Sequence, residues 1–432
     1  MNKSIKVVLI VVLVSVLSLS ALTSTSYSAS SIGIPWMNGA NYWPLGVNYA
    51  WETWGNDFSD NGWASHLEVL KSKLDDMKAQ GSNAVRWWMF CDSYAAPLFS
   101  SSDESGLCTG LPPKWIDHMV EITDYAKSKN MKIYWTITSF DVAKNGRAWD
   151  HDSIIDNSTV RKSFIDNCVK PIAQALGNNE GVMGWDVCNE PEWMISKADG
   201  GEPNAELETF SLATVRTFVK EVTTCLHTYA KQPVSIGSAS MKWIGAQYNF
   251  WQGLGLDFYD FHWYDWATPY FNPMTKTAAS LGLDKPIMIG EMMPDVQGSS
   301  LKTNHQTVLE AILKNGYCGY LMWSWTDTSG YNCVGKTKPD YANFKAAHPE
   351  LNFIVSSVSP SPTSTPTNTS QGVKEDINKD GVVNMADVIK IANVFNSVRG
   401  ESKYDANCDL NDDGAINMSD VIKIAAKFNQ TV

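Results

Sequence analysis

The sequence predicts an α/β fold, a closed (β/α)8 TIM barrel, followed by a Ser/Thr/Pro linker and a small all-α module. Three observations lead there. Eight short apolar runs alternate with helix-spaced amphipathic stretches between residues 31 and 355, the pattern of parallel strands joined by crossover helices. A tract without charge and almost without apolar residues, 356–371 (SSVSPSPTSTPTNTSQ), then interrupts the chain and has nothing with which to build a core. Beyond it, in residues 372–432, an acidic twelve-residue pattern occurs twice, 33 residues apart.

Residues 1–30 read as a secretory signal. Lys3 and Lys6 precede an apolar run from Val7 to Leu22, and small residues lead to a cut near Ser28 or Ala29. Ser15, Ser18 and Ser20 break the run, which argues against a retained membrane anchor. No later stretch is long and apolar enough to cross a bilayer, so the mature chain is expected outside the cell. Strands are then predicted at Leu45–Tyr49, Ala84–Phe90, Met131–Thr138, Val182–Cys188, Val234–Gly237, Phe258–Trp263, Ile287–Gly290 and Cys318–Trp323. Helical spacing marks Leu67–Gly81, Trp115–Asn130, Thr159–Gly177, Ala205–Ala230, Met274–Gly282 and His305–Asn315. The rival is a doubly wound open sheet. No GxGxxG follows the first strand and no Walker-type loop occurs, so the barrel is preferred.

Composition narrows the function. A net charge of −12 argues against a nucleic-acid partner, because phosphate binding needs a basic face. Eighteen Trp and sixteen Tyr are many for this length; core packing is one reading of them, and a sugar cleft, where flat rings stack on pyranose faces, is the other. Eight cysteines are scattered with no CxxC pair, which disfavours a zinc site. Cys91 and Cys108 bracket one loop and are a candidate bridge.

In a barrel of this kind chemistry sits where strands end. Those ends carry Arg86, Asn189 and Glu190, His262 and Tyr264, Glu291, and Trp323. Polar groups at the tips of apolar strands are costly unless they have partners or work. Glu190 and Glu291 are 101 residues apart, which places them on strands four and seven of one barrel mouth. Two facing carboxyls, one a proton donor and one an ionised nucleophile, are the requirement for retaining glycosidic hydrolysis. Plainer readings exist for each residue. Glu190 could cap a helix, Glu291 and Arg86 could be structural ion-pair partners, and His262 and Tyr264 could be core. Trp323 competes with Trp325 two residues on. Glu192 is a further carboxylate near the site, and Trp193, Trp243 and Trp266 are candidate extra sugar platforms.

The motifs Asn189-Glu190-Pro191 and Gly290-Glu291, at this spacing, resemble those of the retaining glycoside hydrolases built on a β/α barrel, glycoside hydrolase family 5 above all. The resemblance covers most of residues 40–330. It implies Glu190 as acid/base and Glu291 as nucleophile, with no catalytic cofactor. It implies further that Asn189 contacts the sugar 2-hydroxyl and that Arg86 keeps Glu291 ionised. Tyr264 would touch Glu291, His262 would line the cleft, and Trp323 would lie under the sugar being cut. One departure stands out: many members place a histidine after the third strand, where this chain reads Thr138-Ser139-Phe140-Asp141. The departure leaves the substrate open.

The tail repeat gives oxygen ligands at loop positions 1, 3, 5, 9 and 12, a backbone carbonyl at 7, and glycine at 6. These are Asp376, Asn378, Asp380, Val382, Asn384 and Asp387, then Asp409, Asn411, Asp413, Ala415, Asn417 and Asp420. The pattern calls for two Ca²⁺ ions in EF-hand-type loops. Each loop runs into an apolar-periodic helix (VIKIANVF, VIKIAAKF). Two such repeats behind a Ser/Thr/Pro linker resemble a dockerin, which implies a cohesin domain of a cellulosome scaffold as partner. Met385-Ala386 and Met418-Ser419 depart from the Ser-Thr-like pairs of many type I dockerins. The combined expectation is a secreted, cellulosomal, retaining endo-β-1,4-glycanase acting on plant polysaccharide, β-mannan slightly ahead of cellulose or another β-glycan. The competing classes are a non-catalytic carbohydrate-binding subunit and a plain calcium sensor.

Overall fold

The computed structural model describes residues 33–351 apart from 104, 147–148 and 328–329, and residues 373–427 apart from 380–382, 384 and 402. The predicted signal segment and linker lie outside the described residues. The chain divides into two compact units, one up to residue 359 and one from residue 360.

The first unit is a closed barrel of eight parallel strands: β1 Leu45–Asn48, β2 Ala84–Trp88, β3 Lys132–Ser139, β4 Val182–Asn189, β5 Val234–Ser238, β6 Tyr259–Trp263, β7 Ile287–Met292 and β8 Tyr320–Met322. Neighbours in sequence are neighbours in the sheet, and β8 closes onto β1 through Tyr320 opposite Leu45 and Met322 opposite Val47. All eight predicted strands are present. β4 and β7 run one and two residues further than expected, so Asn189 and Glu291 belong to the sheet ladder itself. That placement fixes their backbones before any side-chain contact forms.

Three predicted helices differ, each for a local reason. The run over 159–177 is split into Ser158–Phe164, a π turn Ile165–Val169, and Lys170–Leu176. Pro171 has no amide to offer the carbonyl four residues back, and the wider turn absorbs the mismatch. The helix expected from Ala205 begins only at Leu212, where Ser211 Oγ accepts the Thr214 amide. The residues before it are committed elsewhere: the Glu208 amide donates to the Ala143 carbonyl and the Phe210 amide to Met194. Met274–Gly282 supplies only the short turn Ala278–Leu281, stopped by Gly282 at a φ of +62°. Cys91 and Cys108 do not pair. Cys91 packs among Ala50, Trp88 and Trp323, and Cys108 faces Cys168 instead.

The two ends of the barrel are treated differently. At the N-terminal end a hairpin, Ile34–Pro35 with Asn41–Tyr42, covers the opening. Ile34 and Tyr42 join Ala84, Tyr134, Met183, Phe258, Met288 and Leu321 in one apolar plug, and the Tyr42 hydroxyl donates to the Asn83 carbonyl at 2.6 Å. The opposite end, where strands finish in polar residues, stays open.

The second unit repeats itself. Helices Met385–Val394 and Met418–Ala426 follow the two loops, and Ser397–Val398 pairs with Ala415–Ile416. Its core contains Val383 with Ile416 and Ile391 with Ile424, each pair at the 33-residue offset. Lys379 and Asp412 share a left-handed backbone, φ +57° and +59°, at the same offset.

Close strand approach makes a specific demand at β1. A Cβ on Gly46 would lie 1.8 Å from the Ala84 carbonyl oxygen, a backbone atom that cannot swing aside. Gly46→Ala is therefore expected to destabilise the barrel by about 1–3 kcal/mol, the usual range for overpacking, read as a lowered midpoint in denaturant unfolding.

Candidate active site

The open end of the barrel holds a cleft of about 820 Å³. Its floor is organised by Arg86 on β2, whose side chain is fully buried. The guanidinium Nη1 donates to Glu291 Oε1 at 2.7 Å and to Asn48 Oδ1 at 3.0 Å. Nη2 donates to Asp186 Oδ2 at 2.7 Å and to Asn189 Oδ1 at 2.8 Å, and Nε to Asp186 Oδ2 at 3.1 Å. Asp186 is itself held by the Thr136 hydroxyl at 2.9 Å and the Gly237 amide at 2.8 Å. Four strands thus meet on one cation. The space around it is full: a Cβ on Gly237 would lie 2.7 Å from Arg86 Nη2, and one on Gly290 would lie 1.9 Å from Asp260 Oδ1.

Glu291 stands one residue before the end of β7, beside Tyr264 and His262. The Tyr264 hydroxyl donates to Oε2 at 2.7 Å, and His262 Nδ1 lies 3.4 Å from the same oxygen. Burial holds the Glu291 carboxyl above its usual range, and the Arg86 charge and the Tyr264 hydrogen bond offset it only in part. Glu190 follows β4 with a left-handed backbone, φ +47°, uncommon for a residue with a side chain. That turn aims its carboxyl into the cleft. Oε1 meets His262 Nδ1 at 2.6 Å, and Oε2 accepts from Trp193 Nε1 at 2.7 Å. Burial raises the Glu190 carboxyl to about 7, against the lowering effects of the Trp193 hydrogen bond and of Arg86. Burial also lowers the His262 imidazole to about 4, so the ring is neutral at neutral pH. Oxygens of Glu190 and Glu291 approach within 4.8 Å of each other, with His262 in the same cluster. Such a trio could also hold a cation, but Arg86 already supplies one to Glu291.

Aromatic rings wall the cleft. Trp323 packs with Trp51 and Trp88, and its Nε1 donates to Asp327 Oδ2 at 2.8 Å, which fixes the ring. On the Glu190 side stand Trp193 and Trp266, 5.6 Å apart. Trp266 is 40% exposed. Trp243, considered as a platform from sequence, is completely buried and offers no face to a ligand; its Nε1 is spent on the Gly200 carbonyl.

Residues 45–329 match the model of the cellulase family, glycosyl hydrolase family 5. The chain belongs to glycosyl hydrolase family 5. It is a glycoside hydrolase on a (β/α)8 barrel, and residues 374–429 match the dockerin type I domain. The chain is 26% identical over 325 residues to a mannan endo-1,4-beta-mannosidase of Mytilus edulis, covering 68% of this chain and 87% of that one. A second mannan endo-1,4-beta-mannosidase, from Cryptopygus antarcticus, is 24% identical, covering 67% and 81%. Among solved structures, the beta-mannanase of the blue mussel superposes with a TM-score of 0.62 at 24% identity, covering 74% of this chain and 97% of that one. An endo-1,4-beta-mannanase from Eisenia fetida gives 0.63 at 22% identity, covering 73% and 94%.

The seven barrel residues singled out from sequence in this family 5 chain, Arg86, Asn189, Glu190, His262, Tyr264, Glu291 and Trp323, all reach one cleft or its floor. Sequence reasoning passed over Asn48, Asp186 and Thr136, although the first ends an apolar strand and the second sits inside one, which was the signal. Glu192 does not face the cleft. It is buried and accepts from Ser238 Oγ at 2.5 Å, Trp251 Nε1 at 2.7 Å and the Ala239 amide at 3.0 Å. It bolts the Glu190 turn to β5. Where family relatives place a histidine after the third strand, Ser139 Oγ donates to Asp141 Oδ2 at 2.7 Å, and Asp141 lines the cleft.

In the dockerin unit, Asp380, Val382 and Asn384 lie outside the described residues. Asp387 Oδ1 accepts the Asn378 amide at 3.1 Å, and Asp376 begins that loop. In the second loop, Asp409 accepts from the Asp413 and Gly414 amides, Asn411 Oδ1 from Asp413, and Asp413 from Ala415. Asp420 accepts from Leu410, and its other oxygen from Asn417, completing a capping box with the Asn417 side chain. Asp387, Asp409 and Asp420 are buried. Buried carboxylates on loops of hard oxygen donors suit Ca²⁺, which would supply the compensating charge.

Replacing Arg86 by Met is expected to destabilise the catalytic unit by about 3–5 kcal/mol, since it leaves Asp186 and Glu291 buried without their cation. Chemical denaturation followed by tryptophan fluorescence measures it.

Proposed function

We propose that this chain is a secreted, retaining endo-β-1,4-mannanase carried on a cohesin-bearing scaffold, with a signal over 1–30, a catalytic domain over 31–355, a linker over 356–371 and a dockerin over 372–432. The observation that carries the catalytic reading is the approach of Glu190 and Glu291 within 4.8 Å. A retaining enzyme keeps its two carboxyls about 5–5.5 Å apart, whereas an inverting one needs room for a water between them.

Glu190 acts as the acid. It gives its proton to the glycosidic oxygen while Glu291 attacks the anomeric carbon and forms a glycosyl ester. In the second step Glu190, now ionised, takes a proton from water, which displaces Glu291. Arg86 and Tyr264 hold the nucleophile's negative charge. Neutral His262 and Trp193 hold Glu190 without adding charge of their own. Asn189, oriented by Arg86, contacts the sugar 2-hydroxyl. Trp323 carries the sugar being cut, and Trp193 and Trp266 carry the leaving side. Rings on both sides of the carboxyl pair, in a cleft open to solvent, support internal chain cleavage. Mannan as substrate rests on the two relatives named for it; the cellulase description of the matched family keeps cellulose as the second reading.

A panel of mannan, carboxymethyl cellulose, xylan and xyloglucan decides between them. Mannan is expected to be cut fastest by the full chain, and Glu291→Ala to be inactive on all four. Equal activity of that variant and wild type would remove the hydrolase mechanism. Glu190→Ala should slow natural substrates by about 10²–10⁴-fold and aryl glycosides with good leaving groups far less in the first step. Because the protonated form of Glu190 is the active one, kcat/KM should fall as pH rises through about 7.

We further propose that two Ca²⁺ ions hold the dockerin and that the tail binds a cohesin. Ile389 and Ile422, 56% and 61% exposed at equivalent positions of the two helices, supply an apolar face for that partner. A chelator should abolish cohesin binding and the tail's helical signal, since metal binding and folding are coupled in so small a core. Hydrolysis of soluble substrate should continue unchanged.

A further inference from the structure

We propose that Cys108 and Cys168 form a disulfide bond that fastens the hairpin following β2 to the helix following β3. Cys108 lies in the strand Cys108–Gly110, paired with Leu98–Phe99. Cys168 lies in the π turn Ile165–Val169. Both side chains are buried, and their sulfurs stand 2.9 Å apart, closer than two unbonded sulfurs pack. The approach is imposed by the surrounding backbone. The Cys108 amide donates to Ser163 Oγ at 2.9 Å, and Asn167 Nδ2 donates to the Cys108 carbonyl at 2.8 Å. These contacts, one from each side, hold the two segments in register whether or not the sulfurs are joined. Among the eight cysteines, all described, this is the one sulfur–sulfur contact.

The chemistry balances with a low-molecular-mass disulfide as oxidant. Both thiols are buried once the chain has folded, so exchange with the oxidant takes place during folding, while they are still reachable; either can attack first, Cys108 for instance. Its thiolate displaces one thiolate from the oxidant and forms a mixed disulfide. Cys168, deprotonated by that departing thiolate or by water, then attacks Cys108 Sγ and releases the second small thiol. The protein loses two thiol protons and two electrons, and the oxidant becomes two thiols.

The bond would close a ring between residues 60 apart in sequence and so remove freedom from the unfolded chain. It would also fasten part of the cleft's rim. In the hairpin, Phe99 stacks on His151 with ring centres 3.7 Å apart, and the Ser102 carbonyl accepts the Asp150 amide at 2.8 Å. His151 and Asp150 close the loop that begins with Phe140 and Asp141, which line the cleft. Neither sulfur lines the cleft itself, so the bond serves stability and not bond cleavage, and the inference stands apart from the proposed substrate.

The test uses the full chain refolded in oxidised glutathione, then denatured without reductant and alkylated. Six alkylated cysteines are expected, together with one proteolytic fragment joining the segments of Cys108 and Cys168 that vanishes on reduction. Eight alkylated cysteines, or a bridge between other positions, would overturn the proposal. Thermal unfolding provides the second readout. Reductant should lower the midpoint of the oxidised wild type by several degrees. The double variant Cys108→Ser, Cys168→Ser should retain hydrolytic activity and melt at one temperature with or without reductant. A reductant-dependent shift that persists in that variant would place the sensitive bond elsewhere.

Discussion

A single buried guanidinium holds the polar floor of the cleft together. Arg86 is fixed by the ladder of β2, and it is bonded to groups from β1, β4 and β7. The barrel wall could satisfy its apolar demands with many sequences, but a buried cation tolerates few neighbours. It requires Asp186 for charge, Asn48 and Asn189 for its remaining protons, and glycine at 237 to leave it room. The side-chain carbonyl oxygen of Asn189 is spent on Arg86, which turns its amide nitrogen toward Ser139 at 3.4 Å. The geometry proposed to meet a sugar hydroxyl is therefore set by an ion pair below the cleft.

The same cation separates the two glutamates. Both are withdrawn from water, and burial alone would push both toward the neutral form. Glu291 is bonded directly to Arg86, whereas Glu190 is bonded to an indole N–H and a neutral imidazole. One charge is compensated at contact distance and the other is not. That difference is what the proposed division of two identical side chains into a proton donor and an anion requires. A histidine that ionised easily between them would blur the division. Burial, by keeping His262 neutral, preserves it.

Much of this was legible in the sequence because strand periodicity is local. Alternating apolar runs located all eight strands, and polar residues at their ends pointed to the cleft. What local pattern could not convey was where side chains are spent. Trp243 and Trp266 are equally aromatic on paper, yet one is enclosed and the other open, because the Gly200 carbonyl takes the indole of the first. Glu192 stands two residues from Glu190 and reads as a second cleft carboxylate. Three donors from β5 and the loop after it pull it inward. The late start of the helix at Leu212 likewise comes from tertiary hydrogen bonds made by Glu208 and Phe210. Helix spacing upstream cannot anticipate them.

The tail follows a different logic, in which the repeat does the folding. Core residues recur at 33-residue intervals, so each half offers the other a surface like its own. Left-handed residues recur at the same interval, which gives both loops one path. Duplication also repeats what the core does not use. Ile389 and Ile422 are left exposed in equivalent places, although burying either would stabilise a domain this small by about 1.5–3 kcal/mol. A core short of apolar material that leaves the same isoleucine outside twice is better explained by a partner than by chance. The repeat permits a partner to sit in either of two orientations related by a half-turn.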